Sequence, residues 1–147
     1  MIILEESAHL EAPPEALAAF LEALDHRYRD WHPDHVLFRW DDPPGARPRR
    51  FFFDERIGGR RIAMHMTMEP GAGGLTARCR PLRRTTRWVV PWMTFAAIPE
   101  PGGCRYLHRI AVRGRWLKPV LDRLILDAVR RHMREEAVNL QRLITVP

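Results

Sequence analysis

The stretch "KPVLDRLILDAVRRHMREEAVNLQRLI", residues 118–144, decides the fold. Its apolar residues recur at helical spacing, and Pro119 stands at a helix's first turn, where proline is accepted. One long C-terminal helix from about Lys118 to Ile144 follows. Its apolar stripe runs through Leu117, Leu121, Leu124, Ile125 and Ala128, then resumes at Leu140 and Leu143. His132 and Glu136 interrupt it. At about 100° per residue, with Leu121 at zero, Ile125 falls near 40°, His132 near 20° and Glu136 near 60°. Both polar residues therefore belong to the middle of the stripe, one turn apart, with Asn139 beside them. A buried carboxylate without a partner is costly. An arginine, a helix end leaving the core, or a metal ion held from i and i+4 would each compensate.

Upstream, "IILEESAHLEA" reads as a first strand and "PPEALAAFLEAL" as a helix of about three turns. "DHRYRDWHPDH" is a polar, aromatic turn or short helix stopped by Pro33, followed by the short strand "VLFRW" and the loop "DDPPGARP". "RRFFFDERIGGRRIAMHMTMEP" holds two β-type runs around Gly58–Gly59, a two-residue hairpin signal. "GLTARCRPL", "TRWVVPWMTFAAIP" and "CRYLHRIAVR" read as further strands. Strand, helices, a run of strands and one long helix make an α+β chain, a single domain over residues 1–147. Its sheet is a curved antiparallel one of about six to seven strands wrapped around the C-terminal helix, with an internal cavity between them.

Composition narrows the function. Of the 24 basic residues Lys118 is the sole lysine, so the net charge of +6 reflects an arginine-rich composition spread along the chain. No nucleic-acid-binding motif accompanies it, and a nucleic-acid partner is not expected. No apolar run approaches the roughly 20 residues of a membrane span, so no membrane is expected either. The start is acidic within five residues and lacks a signal-peptide pattern. Cys79 and Cys104 have no metal-type spacing and read as free thiols of a cytoplasmic protein.

Two other segments carry groups that suit His132 and Glu136. "WHPDH", residues 31–35, offers His32 and His35 around a stiff proline. In "FFFDERIGG", strand alternation puts Phe51, Phe53, Glu55 and Ile57 on one face. Three of these four are apolar, so Glu55 is an inward carboxylate unless Arg60 or Arg61 pairs with it across the turn. One imidazole from residues 31–35, Glu55, His132 and Glu136 would form a set of two histidines and two carboxylates. That set suits zinc, and less well iron or manganese. His65 is a reserve ligand, expected to point outward if Met64, Met66 and Met68 point inward.

The element order resembles the START/SRPBCC helix-grip superfamily over essentially the whole chain. The combination "WHPDH", "FFFDERIGG" and "RHMREE" resembles the 2,4-diacetylphloroglucinol hydrolase family within it. That resemblance implies a zinc ion held by His35, Glu55, His132 and Glu136, with His32 the alternative to His35. It implies cleavage of a carbon–carbon bond between an acyl group and a phenolic ring, in a small acylated phenolic or polyketide-like ketone. Tyr28 and His32 are the candidate catalytic acids, with Asp34 near them in sequence. The rival expectation is a carrier that binds a small hydrophobic or aromatic molecule without chemistry. A homodimer is the candidate assembly.

Overall fold

The computed structural model describes residues 1–113 and 119–144. Lys118 and Leu117, from which the helix reading starts, lie outside the described residues, as does the side chain of Leu121. Strand β1 (Ile2–Leu10) leads into two short helices, α1 (Glu15–Glu22) and α2 (Leu24–Trp31). Four strands follow: β2 (His35–Trp40), β3 (Arg49–Ile57), β4 (Arg60–Pro70) and β5 (Leu75–Pro81). A one-and-a-half-turn helix, α3 (Arg84–Val89), precedes β6 (Met93–Glu100), β7 (Gly103–Val112) and the long α4 (Pro119–Ile144). The seven strands form one curved antiparallel sheet in the order β1-β7-β6-β5-β4-β3-β2.

Local chemistry explains the main joints. Gly58 and Gly59 take φ of 58° and 76°, so a two-residue turn with both centres left-handed joins β3 to β4. The "PPEALAAFLEAL" segment breaks at Ala23, where the chain leaves helical geometry, and α1 is shorter than the spacing predicts. α2 ends at Trp31 because His32 precedes Pro33. The proline ring disfavours helical backbone at that position, and His32 is extended, with φ −151° and ψ 140°.

Two readings change. "TRWVVPWMTFAAIP" is not one strand. Its first half forms α3, and β6 starts only at Met93, after Pro91 has interrupted the run. No residue of α3 is buried, so its β-type residues have no sheet neighbour to hold them extended. The second change is the rotation of α4. Its buried residues include Met133, Ala137, Leu140 and Ile144, while Leu124 is 61% exposed. On the same wheel those four fall at about 100–160°. His132 and Glu136 lie along one edge of the buried face and not at its centre. The partners of α4 set this rotation: Trp31 donates its indole N–H to the Glu136 carbonyl at 3.0 Å, and Asn139 donates to the Trp31 carbonyl at 3.0 Å.

The core fills the concave side of the sheet. Leu10, Leu17, Phe20, Trp31, Met66 and Leu140 are each at most 5% exposed, and each such side chain contributes about 1.5–3 kcal/mol on burial.

Candidate functional site

The four proposed ligands come from three segments that the fold brings together. His35 opens β2, and its register partner across the ladder is Glu55 of β3. A bulge follows between His35 and Leu37. It breaks the alternation, so that His35 and Phe38 face inward with two exposed residues between them. His132 and Glu136 reach the same point from α4. One ligand atom from each of the four lies within 4.8 Å of the others. His35 and His132 are 3% and 5% exposed, and Glu136 is 6% exposed.

Hydrogen bonding decides which atoms meet. The Nδ1 of His35 lies 2.8 Å from the Tyr28 carbonyl oxygen, which can only accept, so this nitrogen carries the proton. The Nε2 lone pair therefore points into the cluster, 2.8 Å from Glu136 Oε1, 3.4 Å from Glu55 Oε2 and 3.3 Å from His132 Nε2. Two imidazole nitrogens and two carboxylate oxygens converge on one volume. This fits a cation held by two imidazoles and two carboxylates.

The electrostatics agree. Burial opposes a charge on His132, yet hydrogen bonds and attraction from Glu136 and Glu55 outweigh it and raise its pKa to about 10. Burial likewise opposes ionisation of Glu136, but the hydrogen bond from His132 and its positive charge hold the carboxyl well below the usual range. The cluster demands positive charge. Beside it, Tyr28 donates its hydroxyl to Glu55 Oε2 at 2.5 Å. Burial first, then the Glu55 charge, pushes the Tyr28 phenol far above its ordinary value, so the hydroxyl keeps its proton. Glu55 is thus engaged by Tyr28 and not by Arg60 or Arg61; Arg61 pairs with Asp54 instead, at 2.9 Å.

His32 occupies a different place. Its Nδ1 accepts the Asp34 backbone N–H at 2.9 Å, which puts the proton on Nε2, 2.6 Å from Glu135 Oε2. Both ring nitrogens are engaged, and His32 does not line the cavity. It ties the "WHPDH" turn to α4. A neighbouring set, His32, Asp34 and His132, also clusters, but the bond from Asp34 N–H occupies the His32 lone pair. His65 points outward towards Asp41, at 3.3 Å.

The cluster forms the polar end of a cavity of about 80 Å³ between the sheet and α4. Phe51, Phe53, Met68, Phe95, Met133 and Cys79 make much of its apolar wall. Against the roughly 10–15 Å³ that one water needs, this is room for a small ring or a few waters. Among the described residues one more polar side chain faces it. His108 of β7 is 3% exposed, stacks on Phe95 at 4.4 Å between centroids, and has no hydrogen-bond partner on either nitrogen. Burial lowers its pKa to about 4 despite the Glu136 and Glu55 charges, so the ring is neutral, with one N–H and one lone pair unused.

No family model and no curated protein matches the chain. Solved structures do. The protein TTHA0849 from Thermus thermophilus is similar with a TM-score of 0.78 at 13% identity, over 97% of each chain. The Zhui aromatase/cyclase from Streptomyces sp. R1128 gives 0.68 at 15% identity, over 97% of this chain and 90% of that one. A START superfamily protein from Mycobacterium smegmatis gives 0.68 at 13%, over 97% and 96%. The chain has the helix-grip fold. At these identities what is shared is the fold.

Within this helix grip, His108 is the site residue that the sequence reading missed. Its signal was present: Cys104, Tyr106 and His108 alternate inward against the exposed Arg105 and Arg109. The bonds from Trp31 and Asn139 to α4 had no such signal, because they depend on how two distant helices dock. Among the described residues no helix is long and apolar enough to cross a membrane.

Proposed function

We propose that the chain binds a small aromatic or polyketide-like ketone in its helix-grip cavity, beside a zinc ion held by His35, Glu55, His132 and Glu136. The observation that carries this reading is the cavity's division into an apolar wall and one polar end, where Tyr28, Glu55, His108, His132 and Glu136 converge. A flat ring suits the phenylalanine and sulfur side chains of the wall. A phenolic or carbonyl oxygen at the polar end would take up the unused donor or acceptor of His108. The test measures metal content of the purified protein and binding of acetylphloroglucinol, followed by tryptophan fluorescence, in the parent and in His132→Ala. Near one equivalent of zinc and saturable binding are expected in the parent, with the zinc lost in the variant. A parent that takes up neither after incubation with zinc overturns the reading.

A second reading, hydrolysis, has its own observation: a protonated Tyr28 hydroxyl and a neutral His108 ring border the same end of the cavity. This is the reaction that the resemblance to 2,4-diacetylphloroglucinol hydrolases implies. Water adds to the ketone carbon, the bond from acyl carbon to ring carbon breaks, and the ring carbon takes a proton. The products are a carboxylic acid and the deacylated phenol. The ion, when bound, supplies Lewis-acid polarisation and a lowered pKa for water. Tyr28, whose hydroxyl proton is held on Glu55, orients that carboxylate, and His108 orients the ring through its free nitrogens. His32 takes no part in the transfer, since both its nitrogens are engaged. Release of acetate from acetylphloroglucinol by the zinc-loaded protein, abolished in Tyr28→Phe with ligand binding retained, is the expected result. Binding without release leaves the carrier reading alone.

A further inference from the structure

On the outer surface, away from the cavity, Arg84, Arg87, Trp88 and Arg113 line an open concavity of about 380 Å³. Its walls come from two segments. Arg84, Arg87 and Trp88 belong to α3, and Arg113 follows β7, its backbone N–H bonded to the Val89 carbonyl at 2.8 Å. The Arg113 guanidinium stands 5.9 Å from the Trp88 ring centroid, and Arg87 donates to the Leu82 carbonyl at 3.0 Å. Among the described residues no carboxylate lines the concavity, and none of the three arginines is in an ion pair. By contrast Arg61, Arg50 and Arg109 on the same sheet each hold a carboxylate within 2.9 Å. Trp88 is 45% exposed, and no residue of α3 is buried. The helix therefore adds little to the core, while it presents cations and an indole together.

We infer that this concavity is a binding site for a phosphate monoester. Three guanidiniums around one space repel one another, and a ligand that removes this repulsion must bring more than one negative charge. A monoester is close to dianionic at neutral pH and offers three terminal oxygens. Guanidinium forks bind such oxygens in pairs. A carboxylate brings one charge and two oxygens, and leaves two of the three arginines uncompensated. The Trp88 indole in the wall of the concavity adds aromatic surface beside the ester substituent.

The phosphate could be carried by a soluble molecule or by a lipid headgroup, and the experiment separates the two. The full chain is titrated calorimetrically with phenyl phosphate, inorganic phosphate and phenol, and is sedimented with phosphatidylcholine vesicles with and without phosphatidate. Saturable binding of phenyl phosphate is expected, weakened at least tenfold in the double variant Arg84→Gln/Arg113→Gln and retained in Arg105→Gln, which removes charge elsewhere on β7. Trp88→Leu is expected to weaken phenyl phosphate more than inorganic phosphate. Sedimentation with phosphatidate vesicles alone, lost in the same double variant, assigns the site to a lipid phosphate and also supports it. Absence of binding to both sources, or equal binding by parent and double variant, overturns the proposal.

Discussion

At His35 a backbone carbonyl selects the ring nitrogen that faces the cluster. The Tyr28 oxygen takes the Nδ1 proton, so Nε2 meets Glu136 and Glu55 as a lone pair. Sequence showed that a histidine of "WHPDH" and a glutamate of "FFFDERIGG" could converge with the α4 pair. It could not choose between His32 and His35, because that choice rests on a bulge and on a hydrogen bond to Asp34. Glu136→Gln keeps the shape of the side chain and removes its charge. Its zinc affinity should fall by more than the roughly 10–100-fold that loss of an outer-shell partner costs, as read by competition with a chromophoric chelator. Zinc binding equal to the parent would exclude Glu136 as a ligand. The cysteines supply a separate residue-scale prediction. Burial pushes the Cys79 thiol up to about 12, and burial followed by the Glu100 and Glu15 charges also raises Cys104. The thiolate is the reactive form. A disulfide-exchange reagent at pH 8 should therefore leave both thiols unmodified in the folded protein and titrate both in denaturant.

The elements place these residues by a few specific contacts. Trp31 and His32 fasten to α4 at three points: the indole to the Glu136 carbonyl, the Asn139 side chain to the Trp31 carbonyl, and His32 to Glu135. The rotation of α4 follows from this clamp. Apolar spacing alone put Leu124 inside, because the first half of the helix offers more leucine and isoleucine than the second. In Trp31→Phe the aromatic contact to Phe20 is kept and the N–H bond is lost. Stability should fall by about 0.5–1.5 kcal/mol in urea, and zinc affinity should fall with it, because Glu136 loses its anchor. An unchanged zinc affinity would mean that the clamp does not position Glu136. The β3–β4 hairpin meets α4 at its tip. A Cβ on Gly58 would lie 3.0 Å from the Ala128 Cβ, whereas one on Gly59 meets nothing within 4 Å. Both positions have positive φ, so alanine at either costs about 1–2 kcal/mol in backbone strain. Gly58→Ala carries the additional clash with α4 and should be the more destabilising of the two. Equal losses would show that the helix yields freely at this contact.

Across the whole molecule, a sheet curved around one helix leaves an interior volume, and the chain fills most of it with rings and sulfur. The order of strands and helices was legible because hydrophobic alternation and glycine turns are local signals. The conversion of residues 84–89 into α3 was not, since tryptophan and valine favour strands and only the absence of a sheet neighbour releases them. The cavity couples local chemistry to global stability. A cation that binds the folded cluster, and not the unfolded chain, stabilises the fold by mass action. At one hundred times its dissociation constant this amounts to about 2.7 kcal/mol. For a domain of this size each kcal/mol raises Tm by roughly 2–4 °C, so zinc should raise Tm by roughly 5–11 °C. A chelator should reverse the rise, and Glu136→Gln should lack it. Arg84→Gln/Arg113→Gln should show the full zinc shift, because its concavity shares no residue with the cluster. A zinc shift of equal size in Glu136→Gln would place the ion elsewhere and separate the cavity from any metal chemistry.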